Sequence, residues 1–274
     1  MTECGLCFHH CTLAEGQIGF CRGRQNISGK IVALNDGLFS SVALDPIEKK
    51  PFNHFYPGSK ILSFGSAGCN LRCPFCQNHG ISMCSPDELA MKEVTSEQAV
   101  DLALNLMDHG NIGLAFTYNE PLINFEYILE TFKLARQAGL KTVLVTNGTI
   151  EPKYLDQLLE VTDALNIDLK GFSQDFYTTL SGSFENVKTT IEHAVKKSHV
   201  EITTLIIPGK NDSEATMEAE AKWLASLNKD IPLHLSRFFP RYLWDDLEET
   251  PIKTLKQLKN VAEHYLTNVH LGNV

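Results

Sequence analysis

From residue 60 onward, short apolar runs alternate with longer segments of helical periodicity. Consecutive apolar residues, typical of strands buried on both faces, predict strands at 61–65, 112–116, 141–146, 163–168, 200–207 and 231–235. Apolar residues every three or four positions predict helices at 95–109, 122–138, 152–161, 184–197, 213–228 and 253–267. This alternation indicates a parallel sheet with helical crossovers. Because six such units are fewer than the eight of a closed barrel, we expect an α/β fold with a partial (β/α)6 TIM-like barrel.

The first part of the chain has a different pattern. We expect residues 1–58 to form a small cysteine-rich N-terminal extension and residues 59–274 to form the barrel. Two apolar runs, 29–34 and 38–44, flank Asn35-Asp36-Gly37, a turn sequence that predicts a hairpin. Residues 45–51 (Asp-Pro-Ile-Glu-Lys-Lys-Pro) combine prolines with charges and predict an irregular, solvated surface segment.

Composition excludes several classes of protein. The 274 residues are 43% hydrophobic and 21% charged, which is ordinary for a soluble globular protein. A net charge of −9, from 24 basic and 33 acidic residues, argues against a nucleic-acid partner. No apolar run approaches the roughly 20 residues of a membrane span, and the N-terminus lacks a signal pattern. We therefore expect a cytoplasmic protein without a membrane partner, whose eight cysteines are metal ligands rather than disulfides.

Three cysteines follow the first predicted barrel strand. Cys69, Cys73 and Cys76 have the spacing C-x3-C-x2-C, and Pro74 between them predicts a loop rather than a helix. Three thiolates can hold three irons of a [4Fe-4S] cluster and leave the fourth iron without a protein ligand. The alternatives are a zinc site, for which His79 is the nearest fourth ligand, or three unrelated core cysteines.

A second set of cysteines lies near the N-terminus. Cys4, Cys7, Cys11 and Cys21 have the spacing C-x2-C-x3-C-x9-C in a glycine-rich segment too short to bury a core of its own. A bound metal would order such a segment. Four thiolates suit an iron–sulfur cluster and a structural zinc ion alike, with His9 and His10 as possible substitute ligands. A reduced tail without metal is the third alternative.

Polar residues follow the other predicted strands at the positions where those strands end. The segments concerned are 117–121, 146–148, 166–171, 207–212 and 234–237. Each alone has an ordinary explanation as a turn, a helix start or a core histidine. Because ligands of such sheets bind at the carboxyl ends of the strands, their common location predicts a ligand site there.

The loop with Cys69, Cys73 and Cys76, including the aromatic Phe75 before the last cysteine, resembles the cluster loop of the radical S-adenosylmethionine (SAM) enzymes. The resemblance implies that these cysteines are the catalytic cluster ligands and that the amine and carboxylate of SAM bind the open iron. One electron, from a reductant such as flavodoxin or ferredoxin, would then split SAM and form a 5′-deoxyadenosyl radical. It also implies a barrel core.

The resemblance further implies contacts to SAM. Tyr118-Asn119-Glu120-Pro121 stands where the family often has Gly-Gly-Glu-Pro, which holds the amino group of SAM. Asp168-Leu169-Lys170 is similar to a segment of the glycyl-radical-enzyme activases that lies beside the SAM carboxylate. The full set of implied cofactor contacts is Phe75, Gln77, Asn119, Glu120, Thr146, Asn147, Asp168, Lys170 and His234.

Almost the whole chain resembles the AmmeMemoRadiSam-system radical SAM enzymes, relatives of pyruvate formate-lyase activating enzyme. This implies an oxidoreductase that abstracts hydrogen from an unidentified protein or small-molecule substrate. A glycyl-radical activase is an alternative. Activases commonly carry ferredoxin-like inserts with eight cysteines after the cluster loop, whereas only Cys84 follows it here. A non-catalytic metal-binding protein is the second alternative.

Overall fold

An eight-stranded sheet forms the centre of the structure, a computed structural model that describes residues 1–274. Four short strands precede it: β1 (Thr2–Cys4), β2 (Cys11–Leu13), β3 (Arg24–Ile27) and β4 (Lys30–Ala33). They form two small antiparallel pairs, β1 with β2 and β3 with β4. The cysteine-rich segment therefore has regular structure of its own, in pieces of only three or four residues.

The remaining strands are β5 (Leu38–Phe39), β6 (Ser41–Pro46), β7 (Lys60–Gly65), β8 (Lys92–Glu93), β9 (Asn111–Phe116), β10 (Lys141–Thr146), β11 (Ala164–Asp168), β12 (His199–Ile206), β13 (Leu233–Arg237) and β14 (Val269–Gly272). Their order in the central sheet is β14-β13-β12-β11-β10-β9-β7-β6. All neighbours are parallel except β6, which runs antiparallel to β7. β5 pairs with β8 outside this sheet.

The helices are α1 (His79–Ser82), α2 (Ser96–Asn105), α3 (Phe125–Gln137), α4 (Pro152–Leu159), α5 (Gln174–Thr179), α6 (Phe184–Ala194), α7 (Glu214–Asn228) and α8 (Ile252–Ala262). Helix α2 begins with the capping box that the sequence predicts: Thr95 accepts from the Gln98 amide, and the Gln98 side chain accepts from the Thr95 amide. None of the helices combines the length and the apolar character needed to cross a bilayer.

The predicted partial barrel is confirmed. The six predicted strands correspond to β7 and β9–β13, and the six predicted helices to α2, α3, α4, α6, α7 and α8. The structure adds a seventh parallel strand, β14, and the antiparallel edge strand β6.

The predicted hairpin over 29–44 is wrong. The turn itself forms, since the Leu38 amide donates to the carbonyl of Asn35. The flanking runs, however, do not pair with each other: β4 pairs with β3, and β6 pairs with β7 over six residues. The open edge of a central strand offers β6 a long ladder, and a local turn signal cannot reveal such a distant partner.

The inside of the barrel is closed at the amino ends of the strands. Ile61, Ala115, Val143 and Ala164 share an apolar cluster with Phe52 and Phe55, which come from the segment between β6 and β7. Neighbouring residues such as Leu62 belong to the larger core on the helical side of the sheet, as expected when side chains alternate along a strand. This apolar plug leaves the carboxyl ends of the strands for polar groups.

Candidate functional site

Cys69, Cys73 and Cys76 lie in the loop between β7 and α1, and all three are free thiols. Apolar side chains pack around this loop. They are Leu71, Phe75, Phe176, Leu180, Ile207 and Phe238. Burial raises the pKa of the Cys73 thiol to about 12, although Lys170 nearby lowers it. A metal bound there would have to displace these protons, as metal sites of thiolates do.

Two features fix the course of this cysteine loop. Gly68 has a φ of +84°, and a Cβ at this position would lie 2.5 Å from the carbonyl oxygen of Cys21, so only glycine fits here. The Leu71 amide then donates to Cys69 Sγ at 3.4 Å, and Asn147 Nδ2 lies 3.7 Å from the same sulfur. Donors aimed at a cysteine sulfur are one way in which proteins tune iron–sulfur clusters.

Phe75 and Gln77 flank Cys76 but have different surroundings. Phe75 is buried, with its ring centroid 5.4 Å from that of Trp244 and 6.4 Å from that of Phe176. Gln77 is exposed and forms no side-chain hydrogen bond within the chain. Phe75 therefore shields the loop, whereas Gln77 remains free to contact a ligand.

Glu120 connects the ends of β9 and β10. Its carboxylate accepts hydrogen bonds from Thr146 Oγ1 at 2.6 Å, from the Asn147 amide at 2.7 Å and from the Leu122 amide at 3.0 Å. Burial raises its pKa to about 7, and the nearby charge of Asp168 acts in the same direction. No lysine, arginine or histidine pairs with this buried carboxylate.

Asn119 and Asn147 bind the cysteine loop itself. Asn119 accepts from the Ser66 amide and donates to the carbonyls of Ala67 and Gly68 at 3.1 and 3.0 Å. Asn147 Nδ2 donates to Asn70 Oδ1 at 2.9 Å. In this structure both side chains position the loop.

Asp168 and Lys170 form an ion pair at the end of β11, with Lys170 Nζ 2.7 Å from Asp168 Oδ2. Burial by itself would lower the pKa of Lys170, but Asp168, followed by Cys73 and Cys76, raises it well above its usual value. The ion pair therefore lies beside the cysteine loop, and Lys170 keeps its positive charge within it.

His234 has a different partner. Its Nε2 lies 2.6 Å from Glu201 Oε2, and His199 Nε2 lies 3.0 Å from Glu201 Oε1. Glu201 also accepts from the amides of Asn53 and His54. These four bonds lower the pKa of Glu201 to about 2 although burial opposes the shift. The structure thus joins Glu120, Asn147, Asp168 and Lys170 around the cysteines and assigns His234 to a separate group.

Sequence reasoning missed two polar groups inside the barrel. One is this Glu201 group, for which the signal was a single charged residue within the predicted strand 200–207. The other corrects the expectation of a solvated segment at 45–51, because Lys50 is only 2% exposed. Its Nζ lies 2.9 Å from Asp45 Oδ2 and 4.1 Å from the ring centroid of Tyr118, whose hydroxyl also donates to Asp45.

The segment that carries the four N-terminal cysteines contacts the cysteine loop of the barrel through Cys21 and His9. Cys4 and Cys11 are opposite each other in the β1–β2 pair, and the Cys21 carbonyl accepts from the Cys69 amide at 3.1 Å. Burial raises the pKa of Cys7 to about 12. No group of three or more His, Cys, Asp or Glu side chains is arranged to hold a metal ion.

The residues of the barrel site fit a [4Fe-4S] cluster and SAM. Cys69, Cys73 and Cys76 are three thiols on one loop, and the arrangement of a cluster differs from that of a single ion because its thiolates bind separate irons. Glu120 is a buried carboxylate without a cationic partner, which suits the ammonium group of SAM. Lys170 supplies a positive charge for the thiolates or for a carboxylate.

Comparison with known proteins agrees with this site. The family model of the radical SAM superfamily matches residues 64–221. An uncharacterised protein of Methanocaldococcus jannaschii is 40% identical over 276 residues, covering 99% of this chain and 81% of that protein. Pyruvate formate-lyase 1-activating enzyme of Escherichia coli K12 is 24% identical over 232 residues, covering 76% of this chain and 90% of that enzyme.

Solved structures give the same fold. A radical SAM methyltransferase from Sphaerobacter thermophilus superposes with a TM-score of 0.58 at 16% identity, over 79% of this chain and 67% of that one. The match of the family model includes the three-thiol loop that follows β7, since it begins at residue 64. The chain belongs to the radical SAM superfamily, and this membership implies binding of a [4Fe-4S] cluster and SAM.

Proposed function

We propose that this protein is a radical SAM oxidoreductase that abstracts a hydrogen atom from a substrate. The single observation that carries the proposal is the meeting of the Cys69–Cys73–Cys76 loop with Glu120, Asn147 and the Asp168–Lys170 pair. A [4Fe-4S] cluster on the three cysteines supplies, with bound SAM, the 5′-deoxyadenosyl radical for this reaction.

In this proposal, residues of the chain bind SAM and hold one another in position. Glu120 Oε2 accepts only one hydrogen bond within the chain, from the Asn147 amide, so it has a free lone pair for an ammonium donor. Thr146 and Asn147 hold that carboxylate in place. Lys170 offsets the negative charge of the thiolates, and Asp168 fixes the orientation of Lys170.

Four further residues are proposed to contribute to the cofactor site from their location. Gln77 is exposed next to Cys76, and Phe75 packs beside the same thiol. Asn119 acts on the site through the loop backbone that it binds. His234 is proposed as a contact to SAM or to substrate through the ring nitrogen that Glu201 does not bind.

The proposed reaction requires an electron donor and reduced thiols. A low-potential one-electron donor such as flavodoxin or ferredoxin would supply the electron that SAM cleavage consumes. All eight cysteines are free thiols in the structure, which suits a cytoplasmic location where thiols stay reduced.

The substrate is proposed to be a protein or a small molecule. A glycyl-radical activase is the second candidate, favoured by the similarity to pyruvate formate-lyase 1-activating enzyme over 90% of that enzyme's length. An activase would have to admit a glycine-bearing peptide loop of its partner to the barrel mouth.

A second metal centre at Cys4, Cys7, Cys11 and Cys21 also belongs to the proposed function. These residues would hold either an iron–sulfur cluster or a structural zinc ion, both of which four thiolates can bind.

The proposed reaction is tested by product analysis. Protein reconstituted anaerobically with iron and sulfide is incubated with SAM and dithionite, and methionine and 5′-deoxyadenosine are quantified. We expect both products in equal amounts, and a protein with a full cluster that forms neither would contradict the proposal. Adding a glycyl-radical enzyme and recording electron paramagnetic resonance spectra separates the two candidates, because only an activase generates a glycyl radical on its partner.

A further inference from the structure

The N-terminal cysteines touch the radical SAM loop through its backbone. The Cys69 amide donates to the carbonyl of Cys21, and His9 Nε2 lies 2.8 Å from the carbonyl oxygen of Asn70. Arg72 places its guanidinium 4.0 Å from the ring centroid of Phe20 and donates to the Phe20 carbonyl. The segment around Cys21 is therefore built onto the loop that carries the first radical SAM thiol.

Arg24 provides an independent sign that a ligand is bound nearby. Its side chain is buried, and its terminal nitrogens are paired with Glu126 at 2.7 Å, but Nε has no hydrogen-bond partner. The guanidinium lies close enough to Cys4 and Cys21 for their thiolates to interact with its charge. A buried N–H without an acceptor is costly, and sulfur atoms of a bound metal centre would satisfy it.

The positions of the four thiols favour an iron–sulfur cluster over a single zinc ion. A mononuclear zinc site requires four thiolates that converge on one point, and no three of these side chains do so in the structure. The same is true of Cys69, Cys73 and Cys76, whose family membership implies a cluster. In a cluster each thiolate binds a different iron, so the sulfurs stay further apart.

We infer that Cys4, Cys7, Cys11 and Cys21 bind an iron–sulfur cluster, separate from the radical SAM cluster and in backbone contact with its loop. This inference rests on the proposed function. It assigns the second metal centre to an iron–sulfur cluster rather than to zinc. With four cysteine ligands, this cluster has no open iron for SAM.

The experiment isolates the N-terminal centre. The variant Cys69→Ala/Cys73→Ala/Cys76→Ala is reconstituted anaerobically with ferrous iron and sulfide, in the presence of zinc, and its metals are measured along with Mössbauer spectra. We expect it to retain about two or four irons per chain, according to cluster type. Adding Cys4→Ala/Cys7→Ala should remove this iron, whereas adding Cys84→Ala, a thiol outside both sets, should not.

Two results would overturn the inference: a triple variant without iron, or one that binds a single zinc ion in its place. If the triple variant does not fold, the iron content of the wild-type protein decides. A total clearly above four irons per chain supports a second cluster, and a total of about four contradicts it.

Failure of this inference is distinguishable from failure of the proposed reaction. A wild-type protein with only about four irons that still cleaves SAM would refute the second cluster alone. A triple variant that keeps its iron, beside a wild-type protein that produces no 5′-deoxyadenosine, would refute the proposed reaction alone.

Discussion

The pKa values of two buried glutamates, Glu120 at the cysteine loop and Glu201 beside His234, shift in opposite directions. Glu120 accepts three hydrogen bonds from neutral donors and has no cationic partner, and burial raises its pKa to about 7. Glu201 accepts two backbone amides and two histidines, which lower its pKa to about 2 against the effect of burial. In Glu201 the hydrogen bonds of the partners outweigh burial, whereas in Glu120 burial outweighs the three neutral donors.

The difference indicates which region awaits a ligand. Glu201 has all its partners within the chain and ties β12, β13 and the segment 53–54 together. Glu120 has its backbone donors but lacks a positive charge, which the ammonium of SAM would supply in the proposed function. Glu201 therefore serves the fold, whereas in the proposed function the ammonium group of SAM is the missing partner of Glu120.

The largest expected effect is the loss of SAM cleavage when a cysteine of the loop beside Glu120 is replaced. Cys73→Ala should abolish formation of 5′-deoxyadenosine, because a cluster needs all three thiolates of this loop. Cys84→Ala is the matched control and should keep normal product formation. Normal product formation by Cys73→Ala would break the assignment of chemistry to this region.

Removal of Glu201 tests its structural role. Glu201→Ala leaves two histidines and two backbone amides without their acceptor, and should lower the free energy of unfolding by about 3 kcal/mol. Chemical denaturation measures this, with Glu248→Ala, on the surface, as control. Because its folded pKa lies below the ordinary value of 4.5, the contribution of Glu201 is present above pH 4.5 and is lost as pH falls through about 2. A fully stable Glu201→Ala protein would contradict this role.

The variant Glu120→Gln tests whether the charge of Glu120 contributes to SAM binding. The substitution keeps an acceptor for Thr146 but removes the charge, so SAM affinity should fall by roughly 10- to 100-fold, the effect of one charge-assisted hydrogen bond. Calorimetric titration with SAM measures this effect. Glu97→Gln, at an exposed glutamate of α2, should bind normally, and unchanged affinity in Glu120→Gln would remove Glu120 from the site.

A third buried glutamate, Glu220, should have the smallest effect, which is on the pH dependence of stability. Glu220 on α7 has one hydrogen-bond donor, Thr204 Oγ1 at 2.5 Å, and burial raises its pKa to about 8. The folded protein therefore keeps this proton between pH 4.5 and 8 while the unfolded chain releases it, so stability should decline as pH rises through that window.

Comparison of wild type with Glu220→Gln measures this decline. Between pH 6 and 8 the wild-type protein should lose roughly 1 to 2 kcal/mol more stability than the variant. Glu248→Gln should behave as wild type does. Identical pH profiles for wild type and Glu220→Gln would show that donors do not set the order of these three carboxylates.

The sequence allowed prediction of the barrel and of the meeting of Glu120, Asn147 and Asp168, because parallel strands end at one edge and the order of strands fixes which ends are neighbours. The surroundings of Lys50 and Glu201 could not be predicted in this way. Both depend on the segment between β6 and β7 folding into the barrel, a contact between residues far apart in sequence. The hairpin failed for the same reason, since β6 pairs with β7 and not with its neighbour in sequence.

The antiparallel strand β6 has a consequence for self-association. It covers β7 along six residue pairs, from Ser41 with Gly65 to Pro46 with Lys60, and five of the six β7 residues are buried. A chain that started at residue 59 would expose this apolar strand, with its free backbone donors and acceptors, to a second copy. β6 ends in Asp45 and Pro46, a charge and a residue without an N–H, both of which discourage edge-to-edge pairing. The strand that was predicted as half of a local hairpin thus covers β7 and ends this side of the sheet with an edge that is unfavourable for pairing with a second copy.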